Sequence, residues 1–299
     1  MNILILGVYG QLGSELQRQL ISTRSPLGDI PTAYHRATVT AIDIDTLDIT
    51  DAVAVTEYIT NGKFDLIFNC AAYTDVDGCE VNRKLAYAVN SDAPGYIAKA
   101  AKAIGAKFVH VSTDYVFEGN NAVPRNEYDE TLPVTIYGKS KLYGENRILQ
   151  IDEDALIIRT AWLYGVKGKN FVRTIMSLAK ENGTVKVVND QIGNPTNAAD
   201  LAYHLLKLAL SPYDGIFHCT NNGICSWYDF ACRIIDKSGI EAKVNPCTTE
   251  EFPRPARRPK YSALENLRLR ETVGDEMRSW QDAIDEFIKN ICSDEKENS

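Results

Sequence analysis

The chain has 299 residues, 44% hydrophobic and 24% charged, with a formal net charge of −8. Such a chain can bury a sizeable core without cross-links. Its acidic balance, with no basic stripe, points away from nucleic acid or an anionic membrane as the main partner, and no apolar run reaches the roughly 18 residues of a membrane span.

Cysteines are scattered at Cys70, Cys79, Cys219, Cys225, Cys232, Cys247 and Cys292, odd in number and without a CxxC pair. A reduced cytoplasmic protein fits this better than a disulfide framework or a zinc site. The opening MNILILGVYG lacks a basic n-region and runs into glycines, so it reads as a buried strand and not as a signal peptide.

The first strand is Ile3–Leu6. It runs straight into Gly7-Val8-Tyr9-Gly10-Gln11-Leu12-Gly13, which opens a helix at Leu12–Ile21. A tight turn between strand and helix lets backbone N–H groups and the helix N-terminus face a pyrophosphate. Gly10 admits the ligand to the backbone and Gly13 lets helix and strand pack closely. The proline- and glycine-bearing stretch Ser22–Thr38 reads as a surface loop.

The second strand, Val39–Ile42, ends at Asp43, the natural acceptor for an adenosine ribose, with Asp45 as its competitor. A carboxylate there favours NAD over NADP. His35 and Arg36 stand close in sequence and can offset it, so the preference stays open. A helix at Ala52–Thr60 leads to the strand Leu66–Asn69. Small residues follow in Asn69-Cys70-Ala71-Ala72-Tyr73-Thr74, where a cofactor can lie against the backbone.

A helical pattern at Lys84–Ala103, broken near Ser91, precedes the strand Phe108–Val111. Ser112-Thr113-Asp114 then points hydroxyls into the crevice at the strand end. The helix Tyr137–Leu149 begins YGKSKLYGE, placing Tyr137 and Lys141 on one face. A phenol titrates near 10; lowering it by roughly 2–3 units toward a working pH takes about 3–4 kcal/mol. A nearby ammonium in a partly dry site can supply energy of that order.

The strand Ala155–Ile158 completes an alternation that implies parallel strands joined by crossover helices, apolar throughout because both faces are covered. The expected fold is therefore α/β: a Rossmann-like doubly wound parallel sheet with a smaller discontinuous substrate-binding lobe. In the second half, helices are expected at Asn170–Glu181, Ala198–Leu210 and Trp227–Lys237, and strands at Val185–Val188 and Ile216–Cys219. The stretch PCTTEEFPRPARRPKYS should be mostly irregular and the tail SDEKENS frayed. The division is 1–165 plus about 197–212 for the nucleotide-binding domain, and 166–196 with 213–299 for the lobe.

These segments together resemble the extended short-chain dehydrogenase/reductase superfamily. Further motifs narrow the resemblance: STDYVFEG, RTAWLYG, NFVRTI, VNDQIGNPT and RPKYSAL, in that order. Together they look like the dTDP-4-dehydrorhamnose reductase family over nearly the whole chain. The resemblance implies NADPH or NADH as cofactor and a sugar nucleotide as the small-molecule partner. Tyr137 would be the proton donor, Lys141 its partner holding the nicotinamide ribose, and Thr113 the third member near the carbonyl.

Gly7, Tyr9, Gly10, Gln11, Leu12, Gly13, Asp43, Asp48, Ile49, Ala72, Tyr73 and Thr74 would line the cofactor. Thr113, Asp114, Trp162 and Gly165 would meet the sugar nucleotide, with Asn170, Gln191, Thr196 and Arg258 as further contacts. No required metal is expected, because the carboxylate cluster of the magnesium-linked dimers in that family has no match here. A monomer or a homodimer is expected. Two other readings remain at this stage: another sugar-nucleotide epimerase or dehydratase, and a regulatory subunit like the β-subunit of methionine adenosyltransferase.

Overall fold

Strand β1 (Asn2–Leu6) buries Ile3, Leu4, Ile5 and Leu6 because helices cover both faces of its sheet. Ile3 and Ile5 share a core with Leu12, Leu16 and Leu20 of α1 (Gln11–Ser22). Leu4 and Leu6 share the opposite core with Val55 and Ile59 of α2 (Ala52–Gly62). Period-two alternation thus survives as two apolar faces.

The computed structural model describes residues 1–297. The remaining sheet strands are β2 (Thr38–Ile42), β3 (Leu66–Asn69), β4 (Lys107–Thr113), β5 (Leu156–Thr160) and, later in the chain, Gly215–His218. Helices α3 (Ala93–Ile104) and α4 (Ile136–Ile151) flank β4 in sequence. Beyond β5 come α5 (Phe171–Asn182), β6 (Thr184–Val188), α6 (Ala198–Ala209) and β7 (Gly215–His218). The chain continues with α7 (Trp227–Ser238), β8 (Lys243–Cys247) and α8 (Trp280–Glu297).

The 6-stranded sheet has the order β7-β5-β4-β3-β1-β2, and every neighbouring pair is parallel. Strand order reverses at β1, which opens a crevice beyond the carboxyl ends of β1 and β3. A third core, with Val172, Met176, Val185, Phe230, Ile234 and Phe287, joins α5, β6, α7 and α8 into a smaller lobe. No described helix is long and apolar enough to cross a membrane.

The structure differs from the sequence reading in particular places. Ser22–Thr38 is not simply a surface loop: Ile30 and Tyr34 are buried against the main core, and the Tyr34 hydroxyl donates to Leu206 O at 2.8 Å. The Lys84–Ala103 helix divides into Arg83–Tyr87, a π turn at Ala88–Asp92, and α3, whose first turn carries Pro94. β8 extends into the segment read as irregular, pairing with β6 through Pro246 and Cys247.

β7 pairs with β5 and so belongs to the main sheet, whereas the 213–299 division placed it in the lobe. The tail read as frayed continues α8 as far as Glu297; residues 298–299 lie outside the described residues.

Candidate active site

The turn after β1 is built by two steric facts. Gly7 has φ +86°, and a Cβ there would lie 2.7 Å from Ala71 N. A Cβ on Gly13 would lie 2.2 Å from Gly7 O, so helix and strand close up only over glycine. Asp43, at the end of β2, accepts the Tyr9 N–H at 2.8 Å and the Ile44 N–H at 2.9 Å. Asp45 accepts the Tyr9 hydroxyl at 2.7 Å instead. A cavity of about 290 Å³ lies here, lined by Gly7, Tyr9, Gly10, Asp43, Asp48, Ile49 and Ala72 among others. Among the described residues lining it there is no Lys, Arg or His.

Helix α4 starts where Thr135 accepts the Gly138 N–H at 3.0 Å and Glu80 accepts the Ile136 N–H at 2.9 Å. Its first turns carry Tyr137 and Lys141 to the end of β4. There they line a second cavity, of about 570 Å³, with Gln11, Leu12, Thr74, Thr113, Asp114 and Trp162. The two cavities share Gly10, Cys70 and Ala72, so they form one cleft. Gln11 Oε1 and Thr160 Oγ1 are buried without a protein hydrogen-bond partner, and both residues line the larger cavity. Such groups suit a polar ligand.

Tyr137 and Lys141 are 8% and 1% exposed. Burial pushes the Tyr137 phenol above its ordinary range, with the Thr113 hydroxyl opposing the shift. This corrects the expectation of a lowered phenol: in the ligand-free site desolvation outweighs any help from the amine. Lys141 itself is lowered to about 8 by burial, against the pull of Glu145 and Cys70. Its Nζ donates to Val111 O at 2.7 Å and lies 3.1 Å from His110 Nε2. Asp114, which accepts the Thr113 hydroxyl at 2.9 Å, is raised to about 6 by burial, partly offset by hydrogen bonds to the carboxylate.

Trp162 lines the cleft with φ +46°, a strained conformation for a non-glycine residue. Its ring stacks on Trp227, and its Nε1 donates to Ser262 Oγ at 3.2 Å. A Cβ on Gly193 would meet Trp162 Cε2 at 2.5 Å, so that glycine of VNDQIGNPT makes room for the indole. Arg258 donates to the Tyr115 hydroxyl at 3.1 Å and pairs with Asp77 at 2.9 Å. The Tyr115 ring in turn packs edge-on to Tyr137 at 5.4 Å.

Other expected site residues lie outside the cleft lining. Asn170 caps α5, accepting the Arg173 N–H at 3.0 Å and donating to Gly165 O at 2.8 Å. Gln191 donates to Thr249 Oγ1 at 3.0 Å, and Thr196 is fully buried on a short strand pairing with Leu163. Gly165 borders a different cavity, beside Glu15 and Arg278. Tyr73 is clamped by Asn90, which accepts its N–H at 2.9 Å and donates to its carbonyl at 3.0 Å.

The sequence reading missed several residues that build the site. Trp227, expected only as a helix start, is half-buried against the lobe core, and the Ser226/Asp229 capping box is the sequence signal that fixes it in the first turn of α7. Asn90, in the π turn, also donates to Ser140 Oγ at 3.1 Å and ties the β3 loop to α4. Glu145 and Arg159 form an ion pair at 2.6 Å, nearly fully buried, and Glu145 also accepts the Ser112 hydroxyl. No local spacing announces these contacts.

A doubly wound parallel sheet, a glycine turn at its switch point and a Thr113–Tyr137–Lys141 cluster at the strand ends define the class of extended short-chain dehydrogenases/reductases. The family model described as RmlD substrate binding domain matches residues 1–293. The chain is 41% identical to the spore coat polysaccharide biosynthesis protein SpsK of Bacillus subtilis, over 97% of this chain and 98% of that one. It is 46% identical to a dTDP-4-dehydrorhamnose reductase of Clostridium acetobutylicum, with a TM-score of 0.92 and coverage of 97% and 99%. A dTDP-4-dehydrorhamnose reductase of Bacillus anthracis, solved in complex with NADP, is 37% identical, with a TM-score of 0.90 and coverage of 97% and 99%. The chain belongs to the dTDP-4-dehydrorhamnose reductase family.

Proposed function

We propose that this chain reduces the C4 carbonyl of dTDP-4-dehydro-β-L-rhamnose to give dTDP-β-L-rhamnose, with NADH or NADPH as reductant and Tyr137 as proton donor. One observation carries the reading: Thr113, Tyr137 and Lys141 line a single cavity continuous with the glycine-turn pocket, in a chain of this family. The glycine turn and Asp43 fit a dinucleotide, since the turn brings backbone close and the carboxylate faces a ribose. A reduced nicotinamide, when bound, supplies the hydride.

The chain's own residues do the rest. Burial keeps Tyr137 protonated at neutral pH, so the phenol holds the proton it must give to the carbonyl oxygen. The Thr113 hydroxyl stands beside it as a fixed polar group for the developing alkoxide. Lys141, seated by Val111 O, would meet the ribose of a bound nicotinamide. Trp162, Trp227 and Tyr115 wall the end of the cavity that would take the sugar. Arg258, which bonds the cavity-lining Tyr115 and pairs with Asp77, would have to exchange the Asp77 contact to grip a diphosphate, and Gly165, Asn170, Gln191 and Thr196 lie outside the cavity lining.

The test is a panel of 4-keto-6-deoxy sugar nucleotides with each reduced cofactor, followed by nicotinamide absorbance. Net consumption of reduced cofactor is expected; an epimerase or dehydratase regenerates its cofactor and would give none. Tyr137→Phe should lose at least about 100-fold in turnover while still binding cofactor. Near-normal turnover in that variant would reject the assigned role.

A further inference from the structure

Asn69, His110 and Lys141 form a buried chain in which the protons can be counted. The Ala71 N–H can only donate, and it donates to Asn69 Oδ1 at 3.2 Å. That orients the carboxamide, so Asn69 Nδ2 donates to His110 Nδ1 at 3.1 Å. An accepting nitrogen carries no proton, and the neutral ring therefore carries its proton on Nε2. Burial holds His110 well below its ordinary range and so keeps the ring neutral.

The Nε2–H points at Lys141 Nζ, 3.1 Å away. An ammonium has three donors and no lone pair, so it cannot accept this hydrogen. A neutral amine can, and it still donates to Val111 O at 2.7 Å. We propose that His110 is a positioning residue whose Nε2–H favours the neutral amine of Lys141 over its ammonium in the ligand-free enzyme, beside a Tyr137 phenol that keeps its proton in either case.

The ammonium and the amine of Lys141 differ by one proton, while the buried Tyr137 phenol holds its own in both. The groups acting on Lys141 come from several elements: Glu145 on α4 and Cys70 after β3 favour the ammonium, while burial opposes it. Glu145 is already committed to Arg159 at 2.6 Å, which weakens its hold on a second cation. Tyr137 stands one turn away on α4, and His110, on β4, is the group whose proton faces the amine. A Lys141 without charge does not draw the proton off the buried phenol, and a reductase's donor must hold that proton before the substrate is seated. That consequence rests on the function proposed above, whereas the position of the His110 proton does not.

The experiment is two-bond ¹H–¹⁵N correlation on full-length, ligand-free protein labelled with ¹⁵N-histidine near neutral pH. His110 is assigned by the loss of its signals in His110→Gln, or by replacing His35, His204 and His218 in turn if that variant does not fold. A protonated Nε2 with a bare Nδ1 is expected; a proton on Nδ1, or on both nitrogens, overturns the proposal. In ¹³C-lysine-labelled protein, His110→Gln offers the amine an acceptor and should raise the Lys141 midpoint by about one pH unit, a tenfold change in proton affinity. An unchanged or lowered midpoint overturns the proposal. If the tautomer and midpoint behave as expected but the pH limb of turnover does not follow, the failure belongs to the assigned role of the Tyr137–Lys141 pair and His110 retains its role.

Discussion

The indoles of Trp162 and Trp227 stack with centroids 3.6 Å apart and planes within 6° of parallel, across the join between the sheet and the smaller lobe. Trp162 comes from the segment after β5 and Trp227 from the first turn of α7, and both line the larger cavity. The stack therefore walls one end of the cleft, the end proposed above to take the sugar.

Trp227→Ala removes one half of that wall. An aromatic pair is worth about 0.5–1.5 kcal/mol beyond area burial, so KM for the sugar nucleotide should rise roughly 3–10-fold. KM for the reduced cofactor should stay near its original value, because Trp227 does not line the glycine-turn cavity. Steady-state kinetics with each substrate varied in turn checks this, and an equal rise in both constants would contradict it.

Asp43 predicts a preference for NADH over NADPH. Its carboxylate lies at a pocket with no cation among the described lining residues. Repulsion of a 2′-phosphate by roughly 1–2 kcal/mol corresponds to roughly a tenfold preference in kcat/KM. Asp43→Asn should narrow the ratio while keeping the side-chain oxygen that accepts the Tyr9 N–H. A ratio that stays the same, or favours NADPH in the parent, refutes the assignment.

Asp114 predicts a pH-dependent stability. Its folded pKa of about 6 stands above its ordinary 3.8. The folded state therefore binds the proton more tightly, and the stability this adds is fully present below about 3.8 and lost as pH rises through about 6. The span is worth roughly 3 kcal/mol. Asp114→Asn should unfold in urea much like the parent at low pH and prove more stable by an amount of that order at neutral pH. Parallel stability profiles for the two proteins would count against it.

Glu145→Gln breaks a buried ion pair and leaves the Arg159 guanidinium, 2% exposed, without its counter-charge. Removing one partner of such a pair costs about 3–5 kcal/mol. A marked fall in Tm is expected, whereas Gln150, exposed on the same helix, should tolerate replacement by Ala within about 0.5 kcal/mol. Thermal unfolding of both variants decides the point.

The sheet was legible because buried parallel strands are short apolar runs, and those at residues 3–6, 39–42 and 66–69 lie within the observed strands. The glycine turn was legible for a steric reason, since only glycine fits at Gly7 and Gly13. Helix α8 was not read, although Trp280, Ala283, Ile284, Phe287, Ile288 and Ile291 follow a helical period and are all buried. The burial of Tyr34 was not legible, because its partner Leu206 lies far along the chain.

Local spacing by itself determined that Tyr137 and Lys141 share a helix face and that a nucleotide-type turn follows the first strand, because those relations depend only on neighbours in the chain. Tertiary packing decided the electrical state of the pair. It buried the phenol, set the amine against His110 and brought Trp227 onto Trp162. It also withheld Asn170, Gln191 and Thr196 from the cleft lining. Desolvation and hydrogen-bond polarity arise from groups distant in sequence, and no local pattern encodes them.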